Sequence, residues 1–587
     1  MTDLMHHTQA KKLAQLLKEA LDHLWPDHRL SVEELYSHIG EAPQIEMGHF
    51  AFACFPLAKI LKMGPPQISQ KLALKISEKR YDWLDDVKSQ GPYLNFDLHP
   101  GSLALELLPE ILGHHFFQKP LTLTSPKTMI EYSQPNTHKV LHVGHMRNLC
   151  LGNALVRLGR YADQEIIAVT YPGDVGTHVA KTLWYMKYHC KEEAPNDETK
   201  GAWLGEIYTL ASHKLEDEKG TSKEQDNRKQ LTEILKQLEK AEGDFYELWK
   251  ETRQWSLDLM NKAYKWADVS FERWFFESEV DTPSLELMKQ YYKEGLLVED
   301  QGAIGMDLSE DKLGFCLLIK SDGTGLYATK DVALAKKKFE DFGIEKNIYI
   351  VDNRQTRHFQ QVFKVLEKIG FEQASQCYHL QYDVVELPDG AMSSRKGNIV
   401  PLMDLIDEMQ ATIKLRFLDK YEGKWSKEEI QQTSKEIANG AIKYGMIRVD
   451  NNRKIIFDKD EWLKLDGETG PYLQYVCARI QSMVEKQSTD CPPDFEKLVS
   501  KPEVKLLLKL SFFNHYVLNS YKNMKTATLC TYLYELGKLF NHFYTQCPIG
   551  KCEDEGLKSS RLELTKATGE VMKKGIELLG IPTPKRM

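Results

Sequence analysis

Residues 128–160 read TMIEYSQPNTHKVLHVGHMRNLCLGNALVRLGR, and this stretch decides the fold. Met129 to Ser133 alternates apolar and polar side chains in the manner of a strand. Gln134 to Thr137 carries loop residues, with Pro135 before Asn136. From Val143 onward Leu151, Leu155 and Leu158 recur at helical spacing. The string HVGH at 142–145 therefore lies where a strand has turned into a helix, its two histidines three apart on one helix face. A helix start offers unpaired N–H groups and the positive end of the dipole, which suits phosphate. Gly144 leaves room for a flat base against the backbone. Two histidines on a helix are more often surface or core residues. Asn136 and Lys139 just upstream shift the balance toward a nucleotide site.

Working outward, EIIAVTY (165–171), NIYIVD (347–352) and YHLQYDVVEL (378–387) are further strand candidates, each with a helical stretch nearby. Strands alternating with helices predict a doubly wound parallel α/β sheet over residues 121–420. Residues from about 185 to 300 interrupt it with a charged helical insertion, in which Lys214 to Lys229 reads as a solvated loop or helix tip. Residues 1–120 form a small mixed domain. Its first helix is striped by Leu13, Leu16, Leu17, Ala20, Leu21 and Leu24, a second follows Pro65-Pro66, and GPYLNFDL (91–98) is strand-like. Residues 421–587 read as mainly helical, with stripes such as Leu506, Leu507 and Leu510.

A chain of 587 residues exceeds one core and implies several domains. With 42% hydrophobic and 28% charged residues it is not disordered in composition. Its net charge of −8 argues against a protein that coats nucleic acid indiscriminately, but allows one that reads RNA through a local basic track. The N-terminal stripe lacks the apolar core of a signal peptide, and Asp3, Glu19 and Asp22 speak against a transit peptide. The longest apolar run, near Phe50 to Leu61, is broken by Pro56 and Lys59 and cannot span a bilayer. The ten cysteines lack CxxC spacing, and CPIGKC (547–552) has no partners at zinc spacing. The expectation is a cytoplasmic protein with reduced cysteines and no metal site of its own.

The stretch EYSQPNTHKVLHVGHMRN resembles the HIGH region of class I aminoacyl-tRNA synthetases, and of arginyl-tRNA synthetases in particular. YPGDVGTH (171–178) is similar to that family's glycine-aspartate turn after the second strand, and YATKDVALA (327–335) to its tyrosine-aspartate helix. NRQTRHF (353–359) is similar to its glutamine-histidine segment, and MSSRKGN (392–398) stands where its mobile KMSKS loop belongs. GETGPYLQYVCARI (467–480) and LLGIPTPKRM (578–587) resemble its anticodon-binding domain. These likenesses occur in order over most of the chain. They imply a Rossmann-like, HIGH-type catalytic domain with a helical insertion, a small α+β N-terminal domain that touches the tRNA elbow, and an all-α anticodon-binding domain. They also imply a monomer that uses ATP, with Mg2+ on its phosphates, to activate L-arginine and load it onto the terminal adenosine of arginine tRNA.

Adenylate formation requires ATP to be held, a carboxylate to be brought to the α-phosphate, and charge on pyrophosphate to be neutralised. His142 and His145 can donate hydrogen bonds to phosphate oxygens as these gain charge, and Gly144, Met392 and Ser393 complete the ATP site that the resemblance implies. Such catalysis is positional and electrostatic, so no covalent nucleophile is expected. The KMSKS match departs from its pattern: Ala391 and Ser394 stand where the two lysines belong. The resemblance then points to Lys139 as the compensating cation, with Lys396 second; the alternative is that Arg395 and Lys396 are ordinary loop charges, which for Lys396 alone reads equally well. It further places Glu131, Gln134, Pro135, Asn136, His145, Tyr327, Asp331 and Gln355 around the arginine. A guanidinium demands facing carboxylates or amides. Glu131 lies in an otherwise apolar strand and needs a cationic partner; Asp331 shares a helix face with Tyr327, although it could instead pair with Lys330 or Lys336.

For the RNA end, Tyr472 and Tyr475 could stack on unpaired anticodon bases, and Tyr544 and Met587 occupy matching positions in the family pattern. Tyrosines at this spacing are otherwise normally core residues. Lys459 and Lys464 could meet phosphate, though a solvated helix face would look the same. A nucleotidylyltransferase shares the HxGH helix but not the long helical C-terminus. A non-catalytic RNA-binding relative has only the altered loop in its favour.

Overall fold

The computed structural model describes residues 7–122, 124–388, 390 and 400–587. The catalytic region is built on five parallel strands, Thr128–Glu131, Ile166–Thr170, Arg273–Trp274, Lys346–Asp352 and Cys377–Tyr382. Numbered along the chain, they lie side by side in the order 3-2-1-4-5. That order reverses beside the first strand, so the crevice beyond the carboxyl ends of strands one and four is where a doubly wound sheet binds its ligand. Both faces of the first strand are covered: Ile130 joins the core that includes helix Val143–Tyr161, and Met129 faces helices Glu277–Lys293, Tyr327–Phe342 and Thr356–Lys368. All four residues of this strand are therefore buried, the polar Thr128 and Glu131 included.

Two sequence expectations change. The stretch 185–300 is not wholly an insertion, because Arg273–Trp274 returns to pair with Val169–Thr170 as the third strand. Two residues carry no period from which a strand could be read. The insertion helices Lys200–Asp217, Glu224–Lys240 and Asp244–Ala267 pack with Thr177–Tyr188 around Leu183, Trp184, Ile234 and Trp249. The charged stretch from Lys214 forms the tips of two of these helices. YHLQYDVVEL also divides: Val385–Glu386 leaves the sheet and pairs with Ile455–Ile456.

The N-terminal region is a four-stranded antiparallel sheet backed by helices Thr8–Leu24 and Pro65–Ile76. Six helices, Lys427–Ile447, Gly470–Lys486, Lys501–Ser511, Phe513–Lys522, Thr526–Gln546 and Glu555–Leu578, make up most of the C-terminal region. One continuous core runs from the N-terminal helices through Val143–Tyr161 into this bundle. All ten cysteines are free, and no helix among the described residues is long and apolar enough to cross a membrane.

Candidate active site at the strand-to-helix turn

His142 is the cap of helix Val143–Tyr161 rather than a residue on its face, and its backbone is extended, with φ −127°. The Gly144 N–H donates to His142 Nδ1 at 3.1 Å, and the His142 N–H donates to His145 Nδ1 at 3.1 Å. The rings lie 4.0 Å apart between centroids. Each Nδ1 is therefore an acceptor, which leaves the proton of each neutral ring on Nε2. Burial, then the charges of Arg354 and Lys139, push the His142 pKa down to about 4; burial and His142 push His145 well below its ordinary value. Both rings are neutral donors at pH 7, and the cationic charge of the site must come from other side chains.

The loop before the cap is held from three sides. Ser133 and His138 have positive φ, 57° and 58°. The Ser133 N–H donates to Asn148 Oδ1 at 2.5 Å, while Asn148 Nδ2 donates to the Ile350 carbonyl at 2.7 Å and reaches Tyr382 Oη at 3.1 Å. One helix residue thus ties the first strand's loop to strands four and five. His138 is fully buried between Thr137, Thr252 and Ser256, which anchors the loop to the insertion. Beyond the cap, the Val143 N–H donates to the Val400 carbonyl and the Leu402 N–H to the Leu141 carbonyl, at 3.2 and 2.8 Å. The segment that starts at Val400 therefore begins beside the two histidines. Met392, Ser393, Arg395 and Lys396 lie outside the described residues.

A cluster of carboxylates lies beyond the loop that precedes the cap: a Cβ on Gly173 would meet both Asn136 and, at 3.4 Å, Glu277 Oε1. Tyr327 and Asp331 share one face of helix Tyr327–Phe342, Tyr327 at the rim and 63% exposed. Asp331 pairs with neither neighbouring lysine: its Oδ2 meets His358 Nε2 at 2.5 Å. The sequence singled out the segment that carries His358 without giving that residue a role, and passed over Glu277, which is buried at the start of its helix with Lys330 Nζ 3.7 Å away. Burial, only partly offset by Lys330, pushes the Glu277 pKa up to about 7. The Tyr171 hydroxyl is buried with no hydrogen-bond partner among the described residues, and the charges of Asp331, Glu277, Glu131 and Asp174 add to burial in raising its pKa. The charges of all four carboxylates thus reach one hydroxyl. Asn136 lies over Gly173, where a Cβ would stand 2.3 Å from its Oδ1. Pro135 is buried and its carbonyl accepts the Gly173 N–H at 3.2 Å; Gln355 is exposed at the end of the fourth strand.

Glu131 has the cationic partner that its place in an apolar strand calls for. Its cationic partner is Lys338 of the same chain, fully buried three helical turns beyond Tyr327, and its other oxygen accepts from Gln134 Nε2 at 3.3 Å. A carboxylate so enclosed shapes the pocket through Gln134 rather than standing open to a ligand. Asp174, in the glycine-aspartate turn, is likewise internal: it accepts from Arg253 Nε, Ser278 N and Ser278 Oγ at 2.8, 2.9 and 2.7 Å. Lys139 has its ammonium 5.0 Å from the Tyr208 ring centroid, within electrostatic reach of His142, His145 and His178. Arg354, a second cation felt by His142, is paired in fork geometry with Asp352, both contacts at 2.9 Å.

The residues expected at the RNA end stand apart from this pocket, in the C-terminal region. Tyr472 is a core residue, 9% exposed, its hydroxyl accepting from Asn541 at 3.1 Å and its ring edge-on to Tyr534. A ring so enclosed has no face for a base. Tyr475, on the same helix, is 38% exposed. Tyr544 is half-buried under Arg479, 4.9 Å from its ring, and Met587 packs against the core. Lys459 pairs with Glu408, and Lys464 with Glu461 at the surface.

Known proteins agree with this architecture. Residues 108–459 match the family model described as "tRNA synthetases class I (R), catalytic domain", 473–587 the "DALR anticodon binding domain" and 11–98 the "Arginyl tRNA synthetase N terminal domain". The chain is 51% identical over 587 residues to an arginine–tRNA ligase of Bdellovibrio bacteriovorus, covering 100% of both chains. It is 33% identical over 582 residues to that of Clostridium perfringens, covering 98% of this chain and 99% of the relative. In fold it is similar to the Thermus thermophilus arginyl-tRNA synthetase, with a TM-score of 0.80 at 24% identity over 98% of this chain and 100% of that one. With a neutral two-histidine cap at the switch point, an anionic pocket beside it and three matching domains in order, the chain belongs to the arginyl-tRNA synthetase family.

Proposed function

We propose that this chain is an arginine–tRNA ligase, and that the observation carrying the reading is the carboxylate pocket of Asp331 and Glu277 lying beside the two-histidine cap. A guanidinium needs facing anions, and a reacting phosphate needs preorganised donors. The substrate carboxylate attacks the α-phosphorus of ATP and expels pyrophosphate. A ribose hydroxyl of the tRNA's terminal adenosine, the 2′-hydroxyl in the family, then attacks the adenylate carbonyl and releases AMP.

In this scheme the Nε2–H groups of His142 and His145 meet phosphate oxygens as charge develops, without themselves titrating. Lys139 carries the cationic share next to the cap. Asp331 and Glu277 take the guanidinium, Tyr327 closes the rim, and Asn136, held over Gly173, orients the α-substituents. Mg2+ accompanies the triphosphate; among the described residues no group of three His, Cys, Asp or Glu side chains gathers that could hold an ion. Tyr475, Tyr544, Met587, Lys459 and Lys464 are assigned to tRNA, and the enzyme works as a cytoplasmic monomer. Arginine-dependent exchange of pyrophosphate into ATP, run with and without arginine tRNA and with lysine in place of arginine, tests the proposal. Exchange with lysine as fast as with arginine, or none with either in the presence of tRNA, would overturn it.

A further inference from the structure

Three pocket carboxylates each pair with one cation of this chain, Glu131 with Lys338, Asp174 with Arg253 and Asp331 with His358, while Glu277 shares Lys330 with Asp281, which is nearer at 2.9 Å. A cationic substrate that reaches Asp331 meets a carboxylate already paired with an imidazolium, and a second cation on the same partly buried carboxylate is costly. Lysine and arginine cannot readily give up their charge at neutral pH, whereas a histidine can. His358 is the one histidine in this set, and its side chain is 24% exposed, so its proton has a route to solvent.

We propose that His358 is the positioning residue of Asp331 and that the two exchange charge during substrate binding: as the guanidinium reaches Asp331, one proton leaves His358 for solvent. This rests on Asp331 being the guanidinium's partner. The balance is simple. Imidazolium plus free arginine cation gives neutral imidazole, bound arginine cation and one released proton, so the pocket's charge does not change. The proton lost is that of Nδ1. Nε2–H stays on Asp331 Oδ2 in both states, which keeps the carboxylate oriented and leaves Oδ1 for the substrate.

The surroundings of His358 support this. Asp331 faces it from helix Tyr327–Phe342, His379 on strand Cys377–Tyr382 is near enough to feel its charge, and Phe359 on its own helix lies edge-on at 5.4 Å. Burial disfavours the charged ring, but the hydrogen bond and charge of Asp331 outweigh it and hold the His358 pKa above its ordinary value. Removing that charge advantage, as a guanidinium on the same carboxylate would, lets burial prevail.

Calorimetric titration of L-arginine into the full-length protein at pH 6.5, in two buffers of different ionisation enthalpy, reads the proton directly. Release of roughly half a proton or more per arginine is expected, because a ring with pKa above 6.5 is at least half charged at that pH. Glu277 could also lose a proton on binding, so variants separate the two. His358→Gln keeps a donor for Asp331 but cannot titrate, and should lose the release; Glu277→Gln should retain most of it. Persistence in His358→Gln with loss in Glu277→Gln would overturn the assignment. Should His358→Gln fail to fold, the wild-type measurement still decides, since heats independent of buffer would overturn the exchange by themselves. Asp331→Asn distinguishes the two layers. Unchanged arginine affinity in that variant would remove Asp331 from the pocket, whereas weakened affinity without proton release in the wild type would reject the exchange and leave the pocket standing.

Discussion

Asp331 and Gly173 show how narrowly the pocket is specified. Asp331→Asn removes a charge-assisted interaction worth about 1.5–3 kcal/mol, so kcat/KM for arginine should fall about 10- to 100-fold while KM for ATP holds. Steady-state exchange kinetics check this, and an unchanged KM and kcat for arginine would make Asp331 structural. Gly173→Ala places a methyl 2.3 Å from Asn136 Oδ1, and the amide must swing away. A displacement of about 1 Å in a positioning group can cost about 100-fold, so adenylation should drop by that order with the melting temperature nearly kept. Lys139→Ala removes the cation beside two rings that burial keeps neutral. Losing a preorganised charged donor costs about 2.7–4 kcal/mol in the transition state, or two to three decades in single-turnover adenylation, with tRNA affinity little changed. A parent-like rate for this variant beside a crippled Lys396→Ala would return the role to the loop segment.

Helix Val143–Tyr161 is the element that makes these residues a site. Its start supplies the cap, Asn148 fixes the loop and two strands, and buried Arg147 donates to the carbonyls of Asp383 and Arg453 at 2.6 and 2.8 Å. Gly152 lets Tyr132 lie against the helix, where a Cβ would come within 2.2 Å of the ring. Helix Gly470–Lys486 divides its tyrosines differently. Tyr472→Ala should cost about 3 kcal/mol or more of stability, as buried aromatic truncations do, and lower tRNA affinity only through unfolding. Tyr475→Ala should leave the melting temperature in place and weaken tRNA binding by about 1–3 kcal/mol, measured by filter binding; the reverse pattern would exchange their roles. The same contrast explains what the sequence could disclose. Strand, loop and cap lie within 33 consecutive residues, so their chemistry is local and readable. Lys338 is 207 residues from Glu131 and His358 is 27 from Asp331, pairings that only the sheet order creates. Exposure separates Tyr472 from Tyr475, and it depends on Tyr534 and Asn541 on another helix. The two-residue strand Arg273–Trp274 had no pattern of its own to be found by.

Across the whole molecule, the buried histidines whose pKa the fold shifts are moved in two opposite directions. Burial pushes the pKa of His138 and His178 down to about 3 and that of His142 to about 4, all from an ordinary value near 6.5. A lowered folded-state pKa means that the neutral ring's contribution is intact above pH 6.5 and is lost as pH falls toward the folded values. Each ring removes up to about 1.4 kcal/mol of stability per pH unit in that window. Melting temperature should therefore decline steeply between pH 6.5 and 4. His358 runs the other way. Its raised pKa means the imidazolium–Asp331 pair stabilises the fold fully below pH 6.5, and this is lost as pH rises through the raised value. Above that value Asp331 has no imidazolium to compete with a guanidinium, so KM for arginine should fall as pH rises from 6 to 9. The turnover of pyrophosphate exchange at saturating arginine should stay flat through pH 6.5, because His142 and His145 remain neutral there. An ionisation near pH 6.5 in turnover, absent from the arginine KM, would mean that a cap histidine titrates during catalysis, and the neutral-donor description of the cap would fall with it.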